Sequence, residues 1–202
     1  MTKDSSVMWG LISPASLPEI GCSVIFHIYL HSFYSTHIHW AGGKLTNNDA
    51  VVQLALQLND GCWNTYASDA CVYIRRSVNH TYQAHLRTGI CPEVFAYTSS
   101  DGNFTGNGSP SADQIAFYDQ HGFYITDPVY VQRPEVLESN FYAWRVTGNQ
   151  TYLHRARSAA ASFIKYLSTP TGFAGIYDVN NPATLKINET ESFWFAEVLK
   201  YL

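Results

Sequence analysis

The sequence predicts a chain dominated by helices, on three observations. Apolar residues recur at helical spacing from Asn48 through AVVQLALQLNDGCWNTYA. Two further periodic stretches, 134–146 and 150–167, succeed each other across Gly148. A fourth opens near residue 189 with ETESFWFAEVLKYL. Apolar recurrence near 3.6 residues is the primary sign of a helix packed on one face.

Taken in order, residues 1–36 have weak periodicity. They hold His27 and His31, and His37 and His39 come soon after. Four histidines invite a metal reading, but no Cys or carboxylate accompanies them at ligand spacing. In the first helix Val51, Leu54, Ala55, Leu58 and Cys62 form the expected buried stripe, with Asn47, Asn48 and Asp49 supplying cap chemistry. Residues 67–88 are polar and mixed and read as a surface excursion. GICPEVFAY then reads as a turn at Pro92 leading into an extended aromatic piece. Residues 98–113 are rich in Gly, Ser and Asn and read as loop. FYDQHGFYITDPVYVQ reads as extended or hairpin structure.

Helix 134–146 starts at Pro134, which suits the first helical position because its missing N–H costs nothing there. It ends at Gly148, a residue able to take the left-handed conformation after a helix. In 150–167, Tyr152, Ala156, Ala159, Ala160, Phe163 and Leu167 share one face, and its small residues allow close helix approach. TPTG (169–172) stops that helix, and FAGIYDV reads as a short extended segment. The last helix stops in mid-pattern at Leu202 without a cap, and the chain is expected to be incomplete there.

Composition narrows the function. The chain has 202 residues, 12 Lys+Arg and 16 Asp+Glu, a net charge of −4. No basic run exceeds Arg75-Arg76, so a nucleic-acid partner is not expected. Charged residues make up 14% and aromatics 15%, with 14 Tyr and 5 Trp; such a surface suits stacking on sugar rings as well as ordinary packing. Five N-x-S/T sequons (Asn79, Asn103, Asn107, Asn149, Asn188) favour the secretory pathway. Cys22, Cys62, Cys71 and Cys91 permit up to two disulfides there, in three possible pairings. The start is polar, no signal peptide is visible, and the apolar run Ile20–Leu30 is too short to span a bilayer. A secretory chain without a leader is expected to be incomplete at its start.

The densest chemistry lies in RPEVLESNFYAWRVT (133–147). Arg133, Glu135 and Glu138 fall within six positions, and the two glutamates, three apart, project from one helix face. A carboxylate beside a guanidinium is expected to stay ionised at neutral pH, as a general base or ligand clamp requires. The same acids would also favour the helix dipole with no further role.

GICPEVFAY, RPEVLESNFYAWRVTGNQTY, GIYDV and ETESFWFAEVLKYL, in this order, resemble the class I α-1,2-mannosidases, glycoside hydrolase family 47, with fungal members most similar. AGGKLTNNDAVVQLALQLNDGCWNTY resembles that family's Gly-Gly segment and the helix after it. The resemblance implies an all-α fold, an (α/α)7 barrel about half of which is present here. It divides the chain into an unassigned segment, 1–34, and a partial catalytic barrel, 35–202.

It also implies inverting hydrolysis of terminal α-1,2-linked mannose in high-mannose N-glycans, with a calcium ion at the barrel floor and no partner protein. By motif match Glu135 becomes the candidate general base, with Arg133 beside it. Glu93, Glu138 and Glu191 line the sugar and calcium-water network. Glu191 also has a plain alternative, a capping box with Asn188. Tyr142, Trp144, Phe193, Trp194 and Phe195 read as core or barrel wall.

Departures from the pattern bound the expectation. The family's FE-containing helix and D-S-Y-Y-E-Y segment, which carry its general-acid candidates, are absent. Its calcium-binding Thr would lie beyond Leu202. The cysteine usual before the Gly-Gly pair is replaced around His39-Trp40. These 202 residues alone are therefore expected to be inactive and poorly soluble. The rival readings are a mannose-binding, lectin-like quality-control protein of the same fold and a degenerate fragment without function.

Overall fold

The computed structural model describes residues 42–67 and 88–202. The four clustered histidines, the sequon at Asn79, Cys22, Cys71 and most of the 67–88 excursion lie outside these residues. After a helical stretch at residues 42–45, the described part comprises α1 (Asp49–Ala67), β1 (Val94–Ala96), α2 (Ala112–His121), β2 (Tyr124–Asp127), α3 (Glu135–Thr147), α4 (Gln150–Tyr166), β3 (Ser168–Thr169), β4 (Gly172–Phe173) and α5 (residues 192–201), the strands forming two antiparallel pairs. Among the described residues no helix is long and apolar enough to cross a membrane.

Helix α1 starts where Asn48 caps it, its Oδ1 accepting from the N–H groups of Ala50 (3.1 Å) and Val51 (3.3 Å). Its buried face is Val52, Ala55, Asn59, Cys62, Trp63 and Tyr66. This corrects the expected stripe: Ala55 and Cys62 belong to it, whereas Val51, Leu54 and Leu58 sit half-buried on its flank. The aromatic end of the helix sets the angle, because Trp63 and Tyr66 stack at 5.2 Å between centroids and bury the most area. Before α1, the helical residues 42–45 lie so close that a Cβ on Gly43 would meet Val52 Cγ2 at 2.8 Å.

Two sequence expectations fail around residue 115. The stretch 98–113 is loop only to Ser111, and FYDQH belongs to helix α2 rather than to a hairpin. Ser111 and Gln114 form a reciprocal capping box, and Gly122 closes the helix at φ 80°. No residue of α2 is buried, so it offers no apolar stripe for periodicity to detect. The extended part is confined to β2, which pairs antiparallel with β1 through a bulge at Val94/Phe95.

Helices α3 and α4 form an antiparallel hairpin across Gly148 (φ 69°) and Asn149. Pro134 is the N-cap of α3 rather than its first helical residue. The expected face of α4 is the observed one, with Ala160 at its half-buried edge. Helix α5 begins at residue 192, later than expected, and Trp194–Val198 within it is π-helical.

The core gathers around Phe163 of α4, whose ring meets Tyr66 (6.4 Å), Tyr130 (5.6 Å) and Trp194 (5.6 Å). Leu137, Leu167, Ile176, Val179 and Val198 complete it, all without solvent exposure. The extended segment 128–133 runs through this core. Tyr130 exchanges both backbone hydrogen bonds with Ile176, and Val179 N–H donates to Pro128 O. Only glycine fits beside that exchange at residue 175, where a Cβ would lie 2.6 Å from Tyr130 O. Gly175→Ala is therefore expected to destabilise the fold by about 1–3 kcal/mol, read as a lowered midpoint in chemical denaturation.

Candidate functional site

Segment 128–133 delivers the polar residues. Its backbone is fixed by Tyr130–Ile176 pairing and by Glu93 N–H donating to Val129 O at 2.6 Å. Gln132 then takes a left-handed conformation (φ 65°) while fully buried. Such a conformation costs a non-glycine residue about 1–3 kcal/mol and persists where its surroundings over-determine it. Here the Gln132 side-chain oxygen accepts from Glu191 N–H at 2.9 Å. The start of α3 and the start of α5 are tied together through this amide.

The turn presents Arg133 to two acids from different elements. Arg133 Nε donates to Glu93 Oε1 at 2.5 Å, and its terminal nitrogen lies 4.0 Å from Glu135 Oε1. Glu93 is the more enclosed acid, its side chain 11% exposed against 25% for Glu135. Glu138, one helical turn on, accepts from Tyr201 Oη at 2.6 Å. Burial first, and then Glu138, push the Tyr201 phenol above its ordinary value.

Of its two described acid neighbours, Arg133 lies closer to Glu93 than to Glu135. Burial pushes the Glu135 carboxyl up, more strongly than its backbone hydrogen bond and Arg133 draw it down, and Glu93 and Glu197 push it further. Glu135 is thus a stronger base than an exposed glutamate. Beneath it lies Cys91, pushed up to about 12 by burial, with Glu135 and Glu93 adding to the rise against the pull of Tyr66. Cys91 and Cys62 are not bonded to each other.

Of the residues singled out in the sequence, Glu93, Arg133 and Glu135 form one contiguous cluster. Glu138 stands on the same helix face, held by Tyr201. Glu191 joins the group through its backbone rather than its carboxylate, and it forms no capping box with Asn188, since its N–H is given to Gln132. Trp194 is core, but Phe195 turns outward at 68% exposure.

Sequence reasoning missed Gln132, Tyr201 and Glu197. Glu197 lies inside the π-helical segment, which inserts an extra residue into the helical ladder and rotates the residues after it. A period of 3.6 could not have pointed it toward Glu135. Among the described residues no three His, Cys, Asp or Glu side chains come together as a metal-holding group.

Comparison with known proteins gives the family. The sequence profile described as glycosyl hydrolase family 47 matches residues 27–202. The chain is 38% identical over 161 residues to mannosyl-oligosaccharide alpha-1,2-mannosidase 1B of Aspergillus phoenicis, covering 79% of this chain and 26% of that protein. It is 33% identical over 207 residues to a probable mannosyl-oligosaccharide alpha-1,2-mannosidase 1B of Neosartorya fischeri, covering 98% of this chain and 37% of that one. The solved alpha-1,2-mannosidase from Trichoderma reesei superposes with a TM-score of 0.69 at 31% identity, over 84% of this chain and 31% of the other. The chain thus spans about a quarter to a third of the length of the relatives it matches. Its helices are a portion of the all-α (α/α)7 barrel, and the chain belongs to glycosyl hydrolase family 47.

Proposed function

We propose that the protein hydrolyses terminal α-1,2-linked mannose of high-mannose oligosaccharides with inversion of configuration, in the secretory pathway, and that Glu135 is its general base. The observation that supports this reading most is the placement of Glu135. It stands in the first turn of α3, partly enclosed, with a basicity raised by burial and by the acids Glu93 and Glu197.

An inverting glycosidase needs a carboxylate to take a proton from water as that water attacks the anomeric carbon, and a carboxylic acid across the sugar to protonate the leaving oxygen. Glu135 supplies the first group. Arg133, anchored by Glu93, sits at its edge and limits how far its basicity rises. Glu138, fixed by Tyr201, adds an acceptor positioned for a sugar hydroxyl or an ordered water. The acid is assigned to the portion of the barrel outside these residues.

Calcium is proposed for the whole protein on the family likeness. The described side chains are assigned binding and proton transfer only.

The whole protein is expected to release mannose from α-1,2-mannobiose, to lose that activity in EDTA and to regain it with calcium. Binding of mannobiose without release would favour the lectin-like reading instead. Glu135→Gln is expected to lower kcat by about 10²–10⁴-fold, the usual contribution of a general base.

The pH profile carries the sign of the electrostatics. A base works deprotonated, so activity falls on the acid side through a midpoint above 4.5, the ordinary glutamate value. Glu197→Gln removes a negative charge that raises Glu135, so it is expected to move that limb to lower pH. An unmoved limb would exclude Glu135 as the titrating base.

Stability should respond in the opposite sense to an ordinary carboxylate. Between the unfolded pKa and the raised folded pKa, the native state binds more protons than the unfolded one, so stability falls as pH rises. Glu135→Gln is expected to flatten this dependence and to stabilise the chain at neutral pH, as thermal melts at pH 4 to 8 would show.

A further inference from the structure

We propose that Asn149 is an N-glycan acceptor, placed so that a glycan neither disturbs the fold nor obstructs the carboxylate cluster. The inference rests on the secretory location proposed above but not on the mannosidase activity.

Asn149 stands at the tip of the α3–α4 hairpin, exposed, directly after Gly148. The tip is held in one shape by local hydrogen bonds. Gly148 N–H donates to Trp144 O at 2.7 Å, and Asn149 N–H donates to Thr147 Oγ1 at 3.1 Å. The Asn149 side chain caps α4, its Oδ1 accepting from Thr151 N–H at 3.0 Å.

The cap uses only the carbonyl oxygen of the amide. Glycosylation occurs on the nitrogen and leaves that oxygen an acceptor, so a modified Asn149 still caps the helix. The position is also remote from the site. Glu135 opens α3 and Asn149 lies just past its end, and a helix of 13 residues rises about 20 Å at 1.5 Å per residue.

The other described sequons, Asn103, Asn107 and Asn188, are also exposed, but none of the three caps a helix. Asn188 lies three residues before Glu191, in the approach to α5, and the hydroxyl of its Thr190 donates to Phe173 O at 2.5 Å. Asn103 belongs to a turn closed by Ser99, and its Thr105 hydroxyl is bonded to Tyr97 O at 3.0 Å. Among the described sequons, Asn149 is the one whose modified amide keeps a structural task on a helix end.

The step is a group transfer with a lipid-pyrophosphate-linked oligosaccharide as donor and a host transferase as catalyst. Asn149 Nδ2 attacks C1 of the reducing-end N-acetylglucosamine. The N–C1 bond forms and the C1–O bond to pyrophosphate breaks. The lipid pyrophosphate leaves with the electron pair, and the amide gives up one proton.

The test is to direct the full chain into the secretory lumen of a fungal host with a supplied leader and to map glycopeptides by mass spectrometry, with and without peptide N-glycosidase. The expected result is a glycan on Asn149. Thr151→Ala keeps the capping Asn149 and destroys the sequon, so it should remove that glycan while leaving the thermal midpoint of the deglycosylated chain unchanged. Asn149→Asp, which keeps the cap oxygen, should do the same, and either variant controls for failure to fold. A luminal chain with unmodified Asn149 would overturn the proposal. A glycosylated chain whose parent releases no mannose would overturn the hydrolase reading and leave this one intact.

Discussion

The fold depends on how the extended segment 128–133 is gripped. It pairs on one side with Ile176 and Val179, receives Glu93 N–H on another, and places the Tyr130 ring against Phe163. Buried backbone groups must find partners, and here the segment finds them in stretches far away in sequence. Packing is set by that pairing. Phe163 can stack on Tyr130 and meet Trp194 and Tyr66 only because Tyr130 is fixed, and α4 is thereby oriented against α1 and α5. The close approach at Gly175 is the steric condition for this arrangement.

The same grip creates the functional cluster. Forced into a left-handed turn at Gln132, the chain throws Arg133 and Glu135 out at the head of α3, while the Gln132 amide holds α5 at a fixed distance. Several acids therefore gather with one arginine among them. Burial raises the Glu135 carboxyl, and Glu93 and Glu197 add to the rise, while Arg133 pairs with Glu93 and Tyr201 with Glu138. The guanidinium goes to Glu93, the more enclosed acid, and leaves Glu135 the raised one.

Behind the cluster, a second polar group ties the helices together. Asn140 of α3 donates to Val136 O at 2.7 Å and accepts from Asn59 of α1 and Arg155 of α4, each at 3.4 Å. Arg155 reaches Asp60 at 2.6 Å and lies over the rings of Trp63 and Tyr152. Buried amides of this kind are costly unless paired, so they fix one register of the three helices. That register carries the head of α3, and with it Glu135, to a defined place relative to α1.

Much of this is legible in the sequence. The 3.6 periodicity of 150–167 marks the buried face of α4 correctly, because Ala and Phe alternate there with charged residues. Gly148 and Asn48 mark helix ends by local chemistry alone. RPE and PE identify Arg133, Glu135 and Glu93 through their motif likeness, and these three do come together. Helix α2 is not legible, because a helix with no buried residue has no stripe and announces itself only by its caps. The true face of α1 escapes for a related reason: leucines dominate its pattern, but the bulk of Trp63 and Tyr66 sets its rotation. The sequence by itself thus determined the helical segments with apolar faces, their ends, the sequons and the family motifs, since each depends on residues within a turn or two of one another. The tertiary structure alone decided which acid Arg133 would pair with, that burial would raise Glu135, and that a π-turn would bring Glu197 toward it. These depend on the separation of groups from α3, α5 and the turn before β1. Coulombic and desolvation energies are set by that distance and enclosure, which only the assembled fold fixes.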